Sequence, residues 1–447
     1  MYNLFKAVRI LLCSFVVFGC AQKQPQQVAL NGTPIVGDLN MRNASIWMQL
    51  SNSGRDVSVA VMDSTGNSFG EFGIENRGLS NNCLSRITDL EPGQRYTYVV
   101  QNNGRSISDT LSLITQPLWQ YRTDPPTVKL ALGSCTYINE PAYDRPGKPY
   151  GGGYEIFTSI ASESFDAMLW LGDNVYMREA DFGSLSGYIH RYNDTRKTPE
   201  IQELLQHGAH YAIWDDHDFG PNDCDGSYIH KDWAKVAFDS FWPNPEGHIQ
   251  NAPELNATAF KMGDADVFLL DNRTHRVNHK LGAERRQMLG DVQLNWLINN
   301  LKNSRAPFKL VAIGGQMVSD AAIYENFAQF PEEREWLFSE LNRLKIRGVV
   351  FLTGDRHNSE LSKIQLENGN WVYDLTVSPL TSGSYDHSEE PNNMRVAGTM
   401  VGDRNYGILE ITGPRKERSL RMTVKAADGT DIWSRSIAAA EGYEIAL

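Results

Sequence analysis

The chain has 447 residues, of which 41% are hydrophobic, so it is long and apolar enough for two or three domains with a sizeable core. Its 42 basic and 54 acidic residues give a formal net charge of −12, which argues against scaffolding on nucleic acid or another polyanion. This acidic balance does not exclude a phosphate ester that is held locally by metal ions.

Residues 1–19 are predicted to be a lipoprotein signal peptide. A positively charged start precedes an apolar run, residues 10–18, that is too short to span a bilayer. The string Val-Phe-Gly-Cys that ends at Cys20 resembles a bacterial lipobox, so we expect leader removal and lipidation of this cysteine. Residues 20–27 would then tether a body outside the cytoplasm to a bacterial membrane, facing the periplasm or the cell surface. The alternative is an ordinary secretory signal with a fortuitous cysteine.

Residues 28–118 are predicted to form a small all-β sandwich. Short runs alternate apolar and polar residues and are separated by Asn-Gly, Ser-Gly and Pro-Gly turns, without a helical period. The string Leu-Glu-Pro-Gly-Gln-Arg-Tyr96-Thr-Tyr98 resembles the turn-and-tyrosine corner of fibronectin type III-like domains. Such domains usually position or space another part of a protein. A stiff linker is expected at residues 121–126.

Residues 127–447 are predicted to form a layered α/β domain, because helical periods alternate with continuous apolar strands. The predicted helices are residues 154–164, 199–206, 291–303 and 331–345. The predicted buried strands are residues 128–132, 167–171, 210–214, 267–270, 309–313 and 348–353. Three later strands, residues 371–376, 406–411 and 420–425, are expected to close a second sheet.

Four of these strands run directly into strings of metal-binding side chains. Strand ends of layered α/β sheets are where ligands bind, so four such ends that converge predict a metal site. The strings are Leu-Gly-Ser-Cys135, Trp-Leu-Gly-Asp173-Asn-Val-Tyr176, Ile-Trp-Asp215-Asp216-His217-Asp218 and Leu-Thr-Gly-Asp355-Arg-His357.

Asp173 is the natural bridge of a site with two metal ions, because the preceding glycine lets backbone and metal approach closely. Tyr176, three residues on, can fold back onto the same ion, and a phenolate favours ferric iron. Cys135 can supply a thiolate; with Cys83 and Cys224 it leaves an odd number of cysteines, so no disulfide framework is implied. The alternatives are a packed loop tyrosine and an inert buried cysteine.

The acidic string is predicted to supply a ligand for the second ion and the general acid. We expect Asp216 to ligate the second ion, His217 to stabilise or protonate the phosphate ester, and Asp218 to orient that imidazole. The alternative is a capped turn, since Asp is a favoured N-cap. Asp355 and His357 are two residues apart on an extended segment, so they are expected to face the same way and to reach neighbouring ions.

Taken in order, these strings are similar to the alkaline phosphatase D family of the calcineurin-like metallophosphoesterases. The resemblance covers roughly residue 127 to the end, and Trp-Asp-Asp-His-Asp-Phe-Gly-Pro-Asn is its most specific string. It implies a four-layer α/β/β/α sandwich after the small all-β, fibronectin III-like sandwich. It also implies Fe³⁺ and Ca²⁺ in a dinuclear or larger site. Iron would be held by Cys135, Asp173, Tyr176 and His357, and calcium by Asp173, Asp216 and Asp355.

Two further strings carry less information. Arg273, after the strand at residues 267–270, either holds the phosphate bidentately as a catalytic residue or locks its own loop. Gln316 stands where the superfamily usually offers a histidine ligand, and Asn222 is a candidate replacement.

The sequence therefore predicts a phosphoric ester hydrolase, a phosphodiesterase or phosphomonoesterase whose hydroxide, activated by two metal ions, attacks phosphorus in line. We expect a monomer that acts outside the cytoplasm in phosphate acquisition. One alternative is a phospholipase or wall-polymer phosphodiesterase. Another is a non-catalytic surface lipoprotein that uses the sandwich to bind glycan or protein.

Overall fold

A computed structural model describes residues 27–446, except residues 55, 248 and 282–285. The predicted signal peptide, the predicted lipidation site Cys20 and most of the predicted tether lie outside these residues. Within the described part of the chain, no helix combines the length and the apolar character needed to cross a membrane.

In the first part of the chain, the described residues form nine strands in two small antiparallel sheets. The strands are β1 (Ile35–Gly37), β2 (Ala44–Gln49), β3 (Val57–Met62), β4 (Ser68–Gly73), β5 (Glu75–Asn76), β6 (Asn82–Ile87), β7 (Arg95–Asn102), β8 (Arg105–Ser106) and β9 (Leu111–Ile114). The first sheet has the order β1-β2-β6-β5; the second has the order β4-β3-β7-β8, with β9 also paired to β7. The strand β3 alternates buried and half-buried residues, the period that a sheet with one covered face requires.

In the larger part of the chain, the residues that the structure describes form two mixed sheets and seven α-helices. Its strands are β10 (Val128–Gly133), β11 (Ala167–Leu171), β12 (Ala209–Ile213), β13 (Thr258–Met262), β14 (Ala265–Leu269), β15 (Lys309–Ile313), β16 (Val349–Thr353), β17 (Glu360–Gln365), β18 (Trp371–Thr376), β19 (Asn405–Thr412), β20 (Ser419–Ala426), β21 (Asp431–Ala438) and β22 (Ile445–Ala446). Its helices are α1 (Glu155–Ala161), α2 (Leu185–Arg196), α3 (Pro199–Leu204), α4 (Asp216–Phe219), α5 (Lys231–Phe241), α6 (Asp291–Asn303) and α7 (Pro331–Arg343).

The strand order places the predicted metal-binding strings at neighbouring positions. The seven-stranded sheet has the order β12-β11-β10-β19-β20-β21-β22, and the six-stranded sheet has the order β13-β14-β15-β16-β18-β17. Strands β10, β11 and β12 are parallel, with Gly133 opposite Trp170 and Leu171 opposite Ile213. Because parallel strands in register end at one edge, the residues after these three strands emerge side by side.

Three apolar clusters surround the two larger sheets. Alternate residues of β11 belong to different clusters: Leu169 joins a cluster that also holds Leu310 and Leu352 of the second sheet, whereas Met168 joins one that holds Phe157 of α1. Residues of α6 and α7 cover the second sheet in a third cluster. Both faces of the strands are therefore buried, as the continuous apolar runs require, and the predicted α/β class is confirmed.

Polar contacts join the first nine strands to the larger part. The indole Nε1 of Trp47 donates to the carbonyl oxygen of Ser240 at 2.8 Å. The amide of Gln116 donates to the carbonyl oxygen of Lys261 at 2.8 Å. The Trp47 hydrogen bond is buried and therefore costly to break, so it favours one fixed arrangement of the two parts.

Candidate metal centre

Four of the predicted ligands lie in left-handed turns at strand ends. Cys135, Asp173, Asp355 and His357 have φ values of 60°, 51°, 64° and 55°. Such a turn folds the chain back over the strand tip, so that side chains from neighbouring strands point to a common space. Side chains with a Cβ rarely adopt this conformation, and it clusters at functional sites.

Two glycines allow close approaches to Asp215 at this edge, Gly172 from a neighbouring strand of the same sheet and Gly314 from the other large sheet. Gly172 has φ 89°, and a Cβ at this residue would lie 2.7 Å from the Cβ of Asp215. A Cβ at Gly314, which follows β15, would overlap the Asp215 carboxylate. The closeness that the sequence indicated for Gly172 is therefore present.

The first group of predicted ligands converges on Asp173. Its Oδ2 lies 3.5 Å from the Cys135 Sγ and 3.1 Å from the Tyr176 hydroxyl. The same hydroxyl lies 3.1 Å from the Nε2 of His357. Both Cys135 and Tyr176 are buried. Donor atoms of Cys135, Asp173 and His357 all lie within 4.8 Å of one another, a suitable spacing for one ion.

Two further groups share residues with the first. Donor atoms of Asp173, Asp216 and His217 lie within 4.8 Å of one another, and so do those of Asp215, Asp216 and Asp355. Asp173 thus belongs to two groups, one on the side of Cys135 and one on the side of His217. This is the position that a bridging carboxylate between two ions would occupy.

The centre carries more negative charge than its neighbours compensate. Burial, followed by the nearby carboxylate of Asp216, raises the pKa of Asp173 well above its ordinary value. Burial and Asp215 raise the pKa of Asp355 in the same way. Burial raises the pKa of the Cys135 thiol, and Asp173 adds to this effect. A cation among these groups would offset the burial cost and the repulsion that together produce the shifts.

Two buried carboxylate oxygens lack a hydrogen-bond donor among the described residues, and a cation would give each of them a partner. Within the described part of the chain, Oδ2 of Asp215 and Oδ1 of Asp216 are buried and accept no hydrogen bond. A buried polar atom without a partner costs about 1–3 kcal/mol, and more when it is charged. Oxygen donors of this kind fit hard cations, whereas the thiol and phenol groups fit a softer or more highly charged one.

The acidic string divides its side chains between two tasks. Asp215 is the N-cap of α4, and its backbone N–H donates to Oδ2 of Asp218 at 3.0 Å. Asp218 also accepts hydrogen bonds from the backbone N–H of Asn174, at 3.1 Å, and from the hydroxyl of Tyr192, at 3.1 Å. The structure therefore contains both the capped turn, which Asp215 and Asp218 form, and the cluster of acidic side chains that could bind a metal.

His217 has different neighbours from those expected. The structure places Asp218 against Asn174 and Tyr192 rather than against this imidazole, so the expectation that Asp218 orients it is wrong. The His217 ring instead lies on the Tyr176 ring, with centroids 4.1 Å apart, and its Nε2 is 4.0 Å from Oδ2 of Asp216. Its backbone N–H donates to Oδ1 of Asp173 at 3.2 Å. Tyr176 and Asp173 therefore position the histidine.

Arg273 lies under the centre and does not face solvent. Its guanidinium is fully buried and forms salt bridges with Asp215 and Glu325, while Nη1 donates to the carbonyl oxygen of Cys224 at 3.1 Å. Nη2 remains 3.7 Å from Oδ1 of Asp216. This placement favours the loop-locking interpretation of Arg273 over direct contact with a phosphate, because two buried carboxylates already occupy its donors.

The two sequence candidates for a missing ligand both form hydrogen bonds to other side chains. Gln316 donates to Oε1 of Glu360 at 2.7 Å, and Asn222 is exposed and donates to Asp223. The structure offers a different group, in which donor atoms of Asp216, Asp223 and Glu325 lie within 4.8 Å of one another. Nothing in the sequence marks Glu325, a buried acid on an irregular segment, as a member of the site.

A cleft of about 630 Å³ opens beside the centre. Tyr176 and His217 lie on its inner side, and its other lining residues come mainly from the segment before α1 and from the loop after β11. Of the predicted site residues, Tyr176, His217 and the candidate ligand Asn222 are therefore the ones that a bound molecule in the cleft would meet.

Comparisons with known proteins find a matching family model, a related protein and a similar solved structure. A family model described as PhoD-like phosphatase matches residues 130–411. Alkaline phosphatase D of Bacillus subtilis (strain 168) is 21% identical over 325 residues, which cover 62% of this chain and 53% of that protein. The chain thus spans about half the length of this relative. A solved structure entitled "Structure of PhoD" has a TM-score of 0.74 and 18% identity, and covers 93% of this chain and 92% of its own, a likeness that shows the fold.

Proposed function

Because the chain belongs to the PhoD-like phosphatase family, we propose that it hydrolyses phosphate esters, monoesters or diesters, in a metal-dependent reaction at the centre around Asp173. The observation that carries this proposal is the convergence of donor atoms from Cys135, Asp216 and His357 on that one carboxylate. A structural salt-bridge cluster would instead place an arginine or lysine beside each acid.

The donor set fits two kinds of cation. We propose Fe³⁺ for the group of Cys135, Asp173, Tyr176 and His357, because a thiolate and a phenolate suit ferric iron. We propose Ca²⁺ for the carboxylates of Asp173, Asp216 and Asp355, because calcium takes oxygen ligands. The unpartnered oxygens on Asp215 and Asp216 support this assignment. When bound, these ions supply the positive charge that neutralises phosphoryl oxygens and makes water a better nucleophile.

The residues of the chain itself position the ester and handle its proton. His217 lines the cleft and touches the centre, so it is the group that can hydrogen-bond the departing alcohol oxygen. Burial lowers the pKa of His217, an effect that Asp216 opposes. Arg273 acts as a positioning residue, because its salt bridge with Asp215 fixes the turn that presents Asp216 and His217.

The organisation around the centre is also part of the proposal. We interpret the two larger sheets and their helices as the four-layer α/β/β/α sandwich, at residues 127–447, and the first nine strands as a fibronectin III-like sandwich, at residues 28–118. The lipobox-like string at Cys20 supports a membrane-anchored location outside the cytoplasm. Phosphate acquisition is a natural use of an ester hydrolase in that location, and a monomer is proposed.

Elemental analysis together with a visible spectrum tests the proposal. We expect bound iron and calcium, a coloured protein, and release of p-nitrophenol from both bis(p-nitrophenyl) phosphate and p-nitrophenyl phosphate. Asp173→Ala is expected to lose both activity and metals. Absence of hydrolysis after reconstitution with both metals, or wild-type turnover in Asp173→Ala, would overturn the assignment.

A further inference from the structure

The cleft beside the centre is much larger than a phosphate group needs. Its volume of about 630 Å³ lies within the range of roughly 300–1,000 Å³ that small-molecule sites occupy. Hydrolysis acts only on the phosphorus and the ester oxygen, so the remaining space is available to the organic part of a substrate.

One wall of the cleft is aromatic and held in place by the surrounding structure. The rings of Tyr137 and Tyr150 meet edge to face, with centroids 4.9 Å apart, and the guanidinium of Arg178 lies 3.9 Å from the Tyr137 centroid. The hydroxyl of Tyr150 is 3.2 Å from Nδ1 of His357. Phe182 adds a half-buried ring. Fixed aromatic rings favour a flat ring as their partner.

The lining of the cleft also carries one cation without an ion-pair partner among the described residues. Arg145 pairs with Glu179 at 2.8 Å, and Arg178 pairs with Asp144 at 2.8 Å. Lys148 is exposed and, among the described residues, forms no ion pair. In a chain of net charge −12, a free lysine at the mouth of a cleft favours an anionic ligand group.

We propose that this cleft is the leaving-group subsite, and that it selects phosphate esters of ring-bearing alcohols with a further anionic group within reach of Lys148. The assignment rests on the proposed hydrolase function. His217 provides the link, because its donor atom lies within 4.8 Å of donor atoms of Asp173 and Asp216 and its side chain also lines the cleft. Water adds its oxygen to phosphorus and its proton reaches the ester oxygen as the P–O bond breaks. The alcohol that leaves beside His217 therefore lies in the cleft.

Three esters with similar leaving alcohols test the subsite: ethyl phosphate, benzyl phosphate and 4-carboxybenzyl phosphate, or their methyl diesters. We expect kcat/KM to rise about tenfold from the ethyl to the benzyl ester, the scale of an aromatic contact. We expect a further rise of about threefold for the carboxybenzyl ester, which should disappear at high salt because the lysine is exposed.

Two variants and their matched controls locate the effect. Phe182→Leu is expected to reduce the benzyl preference about fivefold, whereas Phe165→Leu, a half-buried ring away from the cleft, should not change it. Lys148→Gln should remove the carboxylate preference, whereas Lys416→Gln, in an exposed hairpin turn, should retain it. Thermal unfolding checks that each variant is folded.

The two levels of inference fail differently. Hydrolysis of none of the three esters by the metal-loaded protein would contradict the proposed function itself. Equal kcat/KM for the three esters, or preferences that survive in both Phe182→Leu and Lys148→Gln, would overturn the subsite and leave the hydrolase function standing.

Discussion

Two clusters of charged residues near the same edge of the molecule differ in whether their carboxylates are paired with arginines. In the first, the arginine network of Arg178, Arg191, Asp144, Asp181 and Glu140, each carboxylate contacts a guanidinium. Arg191 lies 2.9 Å from Asp181 and 2.8 Å from Glu140. In the metal centre, by contrast, donor atoms of acidic residues lie within 4.8 Å of each other. The network is complete as a protein structure; the centre is complete only with cations.

The difference also appears in proton affinities. In the network, burial opposes ionisation of Asp144, but Arg178 keeps the pKa of this carboxyl below its ordinary value. In the centre, burial and neighbouring carboxylates raise the pKa of Asp173. A carboxylate of the arginine network stabilises the fold only while its arginine remains. A carboxylate of the metal centre destabilises the fold until a cation binds. Two substitutions compare the metal centre with the arginine network, and two more separate the roles of residues within the centre.

The largest effect is expected from Asp173→Asn. Because it removes a charge that two groups of ligands share, we expect kcat/KM to fall about a thousandfold or more, as when a charge-stabilising group is lost. In the metal-free protein the same change should raise the melting temperature, since it relieves repulsion. Paired melting curves with and without chelator check this. A lower melting temperature in chelator would contradict the view that the centre is uncompensated.

Asp181→Asn tests the network. It removes one of the two close carboxylates of the buried Arg191, which keeps Glu140 at 2.8 Å, so we expect a loss of about 1–3 kcal/mol in unfolding free energy, equal with and without metal. Denaturant titrations measure this, and the exposed Asp232→Asn serves as the control. If the loss depends on metal, the two clusters are not energetically separate.

His217→Gln separates metal binding from proton transfer within the centre. We expect kcat for esters of alkyl alcohols to fall about a hundredfold, the scale of one general acid. The fall should be smaller for p-nitrophenyl esters, whose leaving group needs little protonation, and iron content should remain unchanged. A matching loss of metal would instead make His217 a ligand.

The smallest effect is expected from Tyr176→Phe. If the phenol binds iron, its removal should abolish a visible charge-transfer band and weaken iron binding about tenfold, while the packing against His217 is preserved. An unchanged spectrum would assign Tyr176 to packing alone. Cys135→Ser is the parallel experiment for the thiolate.

Strand ends and continuous apolar runs could be predicted well from the sequence. The predicted helix at residues 291–303 matches α6, and the strand at residues 349–353 matches β16. The helix α2 was not predicted, because its buried residues include Arg191 and Thr195 and its sequence contains Gly187 and Asn193, so no apolar stripe marks it. Burial by salt bridges leaves no hydrophobic period.

The candidate site was predictable in position but not in side-chain direction. Four consecutive residues of the acidic string begin a helical turn, where successive side chains point about 100° apart. Asp215, Asp216 and His217 therefore bring donor atoms to the centre, whereas Asp218 accepts hydrogen bonds from Asn174 and Tyr192. Spacing alone does not distinguish these directions. Glu325 was missed for another reason: it joins the centre through tertiary contact and follows no strand-end pattern.

The left-handed turns at the strand tips make the centre vulnerable to selection for stability. Holding a residue with a Cβ in this conformation costs roughly 1–2 kcal/mol, and glycine would remove that cost at Cys135 or His357. A laboratory screen that rewards only heat resistance would therefore favour glycine there. It would yield thermostable proteins that keep the strands but lack a proposed metal ligand. Engineering of this scaffold for durability needs a metal or turnover readout in every round.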